Sequence, residues 1–123
     1  MTTNKVNNIL KEKSFGFAIR IVNLYKFLTT EKNEYILSKQ ILRSGTSIGA
    51  MVCESEHSES KMDFIHKLAI AQKETNETLY WLKLLYATDF IEEEAYESVN
   101  QDALALLKML TASIKTVKRN INH

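Results

Sequence analysis

Residues Ser38 to Glu56 read SKQILRSGTSIGAMVCESE, with no proline to interrupt them. Placed on a helix, the stretch sorts into faces. Ile41, Ile48 and Val52 fall on one side at helical spacing, and Leu37 joins them from just ahead. Gly45 and Gly49 lie towards that same side, one turn apart, with Cys53 a turn further on. A glycine inside a helix costs up to ~1 kcal/mol relative to alanine. Two of them near an apolar face predict close packing against another backbone. The Cys53 thiol reads as a small core residue, because its neighbours on that side are apolar. Lys39, Gln40, Arg43, Ser47 and Glu54 occupy the opposite face. The stretch reads as the central helix of a bundle.

The rest of the chain supplies the partners. At 123 residues it is long enough for one domain with a real core, and it has no proline and three glycines. That composition predicts an all-α protein, because the turn chemistry of an all-β fold is missing. Four helices are expected, at about 14–30, 34–55, 61–88 and 92–119, in an antiparallel up-down bundle spanning 14–119. Residues 1–13 are expected to be a flexible N-terminal segment. Helix one has the stripe Phe15, Ala18, Ile21, Val22, Tyr25 and Leu28. Ser60 and Asp63 have the spacing of a capping box ahead of helix three.

Helix three carries a main stripe of Phe64, Leu68, Ala71, Thr75, Leu79, Leu82 and Leu85. About half a turn away lies a second apolar set, Ile70, Tyr80, Trp81 and Leu84. A helix in a monomeric bundle needs one stripe, so the second predicts a contact between subunits. Helix four repeats Val99, Ala103, Leu106, Leu107, Leu110, Ile114 and Val117.

Net charge is +1, but it is unevenly spread. Residues 1–43 are +5, residues 88–107 are −6 with no base, and residues 108–123 are +4. Basic ends flank an acidic middle. The candidate phosphate contacts are Arg20, Lys26, Lys39, Arg43, Lys115, Lys118 and Arg119. Arg43 has a second reading as an ion-pair partner of Glu74 or Glu77.

Catalysis is not indicated. The segment Arg43 to Gly49 lacks phosphate-loop spacing and has no preceding strand. Glu54 with His57, and Asp63 with His66, flank one loop rather than facing each other inside a bundle, so neither a metal nor another cofactor is expected. The third histidine, His123, ends the chain. No apolar run approaches the ~20 residues that span a bilayer. The N-terminus lacks the apolar core of a signal peptide, and a single cysteine fits a reducing compartment, so a cytoplasmic location is expected.

Leu37 to Ala50, LSKQILRSGTSIGA, followed by Ser60 to Leu68, Lys73-Glu74, Glu77-Thr78 and Tyr80-Trp81-Leu82, resembles a bacterial four-helix bundle family. Its founding members are encoded in intervening sequences of 23S ribosomal RNA genes, and it is also described as an S23 ribosomal protein group. Arg20 to Lys26 resembles the family's first helix, and the likeness runs over about residues 14–118. The resemblance implies a ring-like homopentamer with a role in nucleic-acid association, RNA or DNA, and no known catalysis. It also implies a kinship with the accessory variability determinant proteins of diversity-generating retroelements. Those are strongly basic pentamers that bind a reverse transcriptase and nucleic acid. This chain is near neutral, and Met51, Cys53 and Thr75-Asn76 depart from the usual residues. Two functions follow as expectations: a non-catalytic RNA-binding module, or a protein–protein adaptor ring.

Overall fold

The computed structural model describes the backbone of residues 2–121 and the side chains of residues 8–121. It contains four helices: α1 (Thr2–Thr30), α2 (Leu37–Ser55), α3 (Lys61–Ala87) and α4 (Glu93–Ile121). No strand occurs among the described residues, and none of these helices is long and apolar enough to cross a membrane. His123 lies outside the described residues. Each helix packs against the next, and α4 returns to α1, while the backbones of α1 and α3 do not approach one another closely.

The buried positions repeat in steps of three and four. In α1 they are Leu10, Ser14, Phe17, Ile21 and Leu28, with half-buried Leu24 filling the gap. In α2 they include Ser38, Ile41, Gly45, Ile48, Val52 and Ser55. In α3 they run Ile65, Leu68, Ala71, Thr75, Thr78, Leu82 and Leu85, and in α4 Val99, Ala103, Leu106, Leu110, Ser113, Ile114 and Val117. This is the seven-residue spacing of helices packed side by side over a long length.

Three expectations are corrected here. The segment 1–13 is helical from Thr2, and Leu10 is fully buried in the core. The stripe of α1 is correspondingly shifted: Phe15 is 67% exposed, and Phe17 takes its place inside. Counting from Leu10, rather than from Phe15, puts the spacing in register. Cys53 is also exposed rather than a core residue, because the buried seam of α2 passes through Val52 and Ser55 on either side of it.

The connections explain where the helices stop. Asp89 sits at φ 66°, the Asp89 N–H donates to the Tyr86 carbonyl and the Phe90 N–H to the Leu85 carbonyl. That pattern closes α3 with a left-handed residue and turns the chain into α4. Asn33, at φ 53°, turns the chain after α1. At the start of α3, the Ser60 hydroxyl accepts from the Asp63 N–H at 3.0 Å, while the Asp63 carboxylate accepts from the Glu59 N–H at 3.2 Å. The cap is therefore reciprocal, with its return arm on the Glu59 N–H rather than on that of Ser60.

The α2 N-terminus is capped from outside the helix. Ile36, which precedes it, has no capping side chain, and buried Glu34 does the work. Its carboxylate accepts from the N–H groups of Ile36, Leu37 and Ser38 at 3.2, 3.0 and 2.6 Å. Burial pushes the Glu34 carboxyl up, but the hydrogen bonds from these backbone groups outweigh it and hold it below its ordinary value. A carboxylate lowered in the folded state adds stability above its unfolded value and loses it as pH falls through the folded one. Glu34→Gln is therefore expected to cost about 1–3 kcal/mol at neutral pH. It should also flatten the fall in stability below about pH 4.3, the unperturbed glutamate value. Urea unfolding at neutral and acid pH measures both. Parallel pH profiles for the two proteins would rule out this account of the cap.

Candidate nucleic-acid interface

The seven basic candidates separate into two classes. Arg20 and Arg43 are engaged inside the subunit. Arg20 reaches from α1 to α4, donating to the Asp102 carboxylate at 2.7 Å, the Ser98 hydroxyl at 2.9 Å and the Ser98 carbonyl at 3.4 Å. Arg43 reaches from α2 to α3, donating to Glu74 at 3.3 Å and also to Glu77. Both guanidiniums remain partly exposed, so each pair stabilises by no more than ~1 kcal/mol. Their geometric effect is larger, because each clamps two helices at a fixed level.

Lys26, Lys39, Lys115, Lys118 and Arg119 are exposed, with no carboxylate within ion-pair distance among the described residues. They do not form one patch. Phe27 and Lys32 share a cleft with Phe90, Ile91 and Glu92, whereas Lys13 and Gly16 share one with Ala105 and Met109. Lys26 thus lies level with the start of α4. Lys115, Lys118 and Arg119 lie on its last turns, roughly 30 Å away along the bundle at 1.5 Å per residue.

The two ends differ electrically. Near Lys26, the exposed Glu92, Glu93, Glu94 and Glu97 oppose any anion. At the other end, residues 103–121 contain four bases and no acid. Two carboxylates at that end are already committed, since Glu56 accepts from Lys11 at 3.2 Å and Glu54 from Lys67 at 3.5 Å, while Glu12 and Glu59 are exposed nearby. Within α4 the terminal trio stands as the least compensated positive cluster. Its place also suits the negative end of the α4 dipole.

The glycines of α2 face α1. A Cβ at Gly45 would lie 2.7 Å from Ile21 Cγ1, and one at Gly49 would lie 3.3 Å from the Ser14 carbonyl oxygen. Of the second apolar set on α3, Ile70, Trp81 and Leu84 are half-buried within the subunit. Tyr80 is 59% exposed, with its ring edge-on to Trp81 at 5.0 Å. The Trp81 indole N–H is sealed from solvent and has no acceptor.

Other features were not legible as candidates. Arg20 is matched with Asp102 and Ser98, which lie 82 and 78 residues away, so only the fold pairs them. The open α1–α4 groove at Phe15 and Gly16 was hidden by assigning Phe15 to the core. The lone glycine at 16 inside a helical pattern was the available signal. Among the described residues no three potential metal-ligating side chains gather.

With this geometry in place, the comparisons with known proteins are direct. No curated protein matches the chain. A crystal structure from Bacteroides thetaiotaomicron VPI-5482, described as a protein of unknown function from the S23 ribosomal protein family, is similar at 56% sequence identity. The alignment covers 89% of this chain and 98% of that one, with a TM-score of 0.88. The family model described as 23S rRNA-intervening sequence protein matches residues 6–112. The match takes in most of α1, all of α2 and α3 and most of α4, and on it the chain belongs to the 23S rRNA-intervening sequence protein family.

Proposed function

We propose that this protein is a non-catalytic cytoplasmic binding module that holds RNA on the basic surfaces of a ring-like homopentamer of antiparallel up-down bundles. The observation that carries the reading is the uncompensated trio Lys115, Lys118 and Arg119 on the last turns of α4. One such trio per chain is weak. Five copies on one ring act together, so modest contacts add up through effective concentration. The antiparallel arrangement is supported by contacts whose numbering runs in opposite directions: Lys11 with Glu56 and Gly49 with Ser14 between α1 and α2, then Glu54 with Lys67 and Arg43 with Glu74 between α2 and α3.

Phosphate binding by lysine and arginine releases condensed counterions, so affinity should fall linearly with salt on logarithmic axes. Lys115→Gln, Lys118→Gln and Arg119→Gln together should flatten the slope by roughly 2–3 for each subunit engaged. The fold should be unchanged, because all three side chains are exposed. Loss should be similar across RNA sequences, since phosphate contacts position without reading bases. The measurement is a salt titration against structured RNA and duplex DNA. Absence of binding even at low salt would remove this function. The adaptor ring would then stand in its place, supported by the exposed Phe15, Ile36, Met62 and Tyr80.

A further inference from the structure

The outward face of α4, opposite its buried seam, is divided by charge. Exposed Glu94 and Glu97 stand towards one end of it and exposed Lys108 and Lys115 towards the other, with uncharged Gln101, Leu104 and Ala105 between. A helix dipole favours acids at the start and bases at the end, but the effect fades beyond the first and last turns. Glu97 lies in the second turn and Lys108 in the middle of a helix of 29 residues, so the dipole does not account for them. Contacts within the helix do not account for them either. None of the four charges has an opposite charge three or four residues away. Glu94 has Glu97 there instead, and Lys115 has Lys118 and Arg119. Like charges at that spacing destabilise a helix. Nor is any of the four within ion-pair distance of an opposite charge among the described residues.

Read backwards, the face is its own complement. Ten residues before Leu104 stands Glu94, and ten after Ala105 stands Lys115. Seven before Leu104 stands Glu97, and seven after Ala105 stands Ala112, between Lys108 and Lys115. Leu104 is 46% exposed at the centre. With Ala105, Ala112 and the two lysines it lines a surface groove of about 660 Å³ walled by α4 alone.

We infer that the outward face of α4 pairs antiparallel with the same face of a second copy of this chain, about a two-fold axis at Leu104 and Ala105. Lys115 then comes level with the partner subunit's Glu94. The partner subunit's Glu97 settles over the small Ala112, between Lys108 and Lys115. The occupant is a second copy because the face requires both signs of charge in reverse order, and the face itself supplies them. The paired stretch, Glu94 to Lys115, is roughly 30 Å long at 1.5 Å per residue. A two-fold contact joins like surfaces and cannot close a five-membered ring, so it is additional to any contact that does. Lys115 also belongs to the RNA-binding trio. The consequence that RNA and the second copy compete for it rests on the function proposed above, whereas the pairing does not.

Sedimentation velocity on the full chain, without RNA, tests it. A two-fold contact adds chains in pairs, so the wild type should reach an even number at high concentration, whether free subunits or rings are joined. Lys108→Glu with Lys115→Glu should weaken this step at least about tenfold, as should Glu94→Lys with Glu97→Lys, because each sets like charges against one another. Circular dichroism should show both variants folded, since all four positions are exposed. An equimolar mixture of the two sets an all-acidic face against an all-basic one and should recover association to within about threefold of wild type. In a Cys53→Ser background, Leu104→Cys sits beside the axis and should oxidise to a linked dimer. Glu97→Cys lies far from its mate in the other copy and should not. The inference falls if the wild type holds an odd number of chains at every concentration, or if the variants associate as the wild type does. It also falls if the mixture does no better than its components, or if Glu97→Cys cross-links as readily as Leu104→Cys. A wild type that pairs but binds no RNA supports this contact and removes the proposed function, and an unpaired ring that binds RNA does the reverse.

Discussion

Gly45→Leu is expected to unfold the protein or to leave it destabilised by more than ~3 kcal/mol, the upper part of the range for overpacking a core. The first added atom already fails to fit. A Cβ at this position stands 2.7 and 2.8 Å from the two γ-carbons of Ile21 and 3.2 Å from its Cβ. Ile21 is fully buried and branched at Cβ, so it has no free rotamer into which to retreat. Leucine then adds three more carbons to the same space. Gly49→Leu should act in the same direction, because its obstacle is the backbone carbonyl of Ser14, which moves only with α1 itself. Gly16→Ala provides the contrast and should be neutral or stabilising by up to ~1 kcal/mol in the isolated subunit. Thermal unfolding by circular dichroism reads all three. At several degrees per kcal/mol, the Gly45 variant should melt roughly 10 °C lower or not be recovered folded. An unchanged melting temperature for both leucine variants would refute close packing at the α1–α2 seam.

Leu10→Ala should cost about 2–5 kcal/mol, the range for truncating a buried leucine to alanine. A residue in a frayed tail would cost nothing. Leu10 is 0% exposed, and the next inward residue, Ser14, is equally buried. The turn of α1 that carries Leu10 is therefore structural, and removing residues 8–13 with it should destabilise the bundle by at least as much as the point change. Urea unfolding of the full chain measures the difference. A cost below ~1 kcal/mol for Leu10→Ala would show that the N-terminal turns add little to the core.

The contrast between residues 1–13 and the α2 stretch shows which signals a single sequence carries. In α2, Ile41, Ile48 and Val52 are aliphatic and regularly spaced, and all three are buried as read. Around Leu10 the neighbours are Lys11, Glu12 and Lys13, so one buried leucine in polar company looks like a tail. The core seam also uses hydroxyls. Ser38, Ser55, Thr75 and Thr78 are buried, and each has a carbonyl of its own preceding turn as hydrogen-bond acceptor, while the buried Ser44 hydroxyl is partnered by that of Thr78. Backbone satisfaction of this kind makes a polar residue acceptable inside, and an apolar count cannot register it. Phe15 failed in the opposite direction, being large, aromatic and outside. On the basic surface, the residue types were legible but their partners were not. Glu74 and Glu77 were foreseeable for Arg43 from neighbouring helices, whereas Asp102 for Arg20 required the bundle to close.

The buried hydroxyls of Ser44 and Thr78 share a hydrogen bond of 2.9 Å across the α2–α3 seam. Apolar side chains repeating every seven residues are indifferent to a slip of seven, since one leucine packs much like another. The hydroxyl pair is not indifferent. Such a slip would set Ser44 against Leu85 or Ala71 instead of Thr78, parting two polar groups that water cannot reach. The pair therefore works as a key in a keyway, as a lone polar residue does in a coiled-coil seam. It fixes the register of α2 against α3. The α1–α4 side has no such buried polar pair among the described residues, and its clamp, Arg20 on Asp102 and Ser98, is exposed to water and weakened by salt.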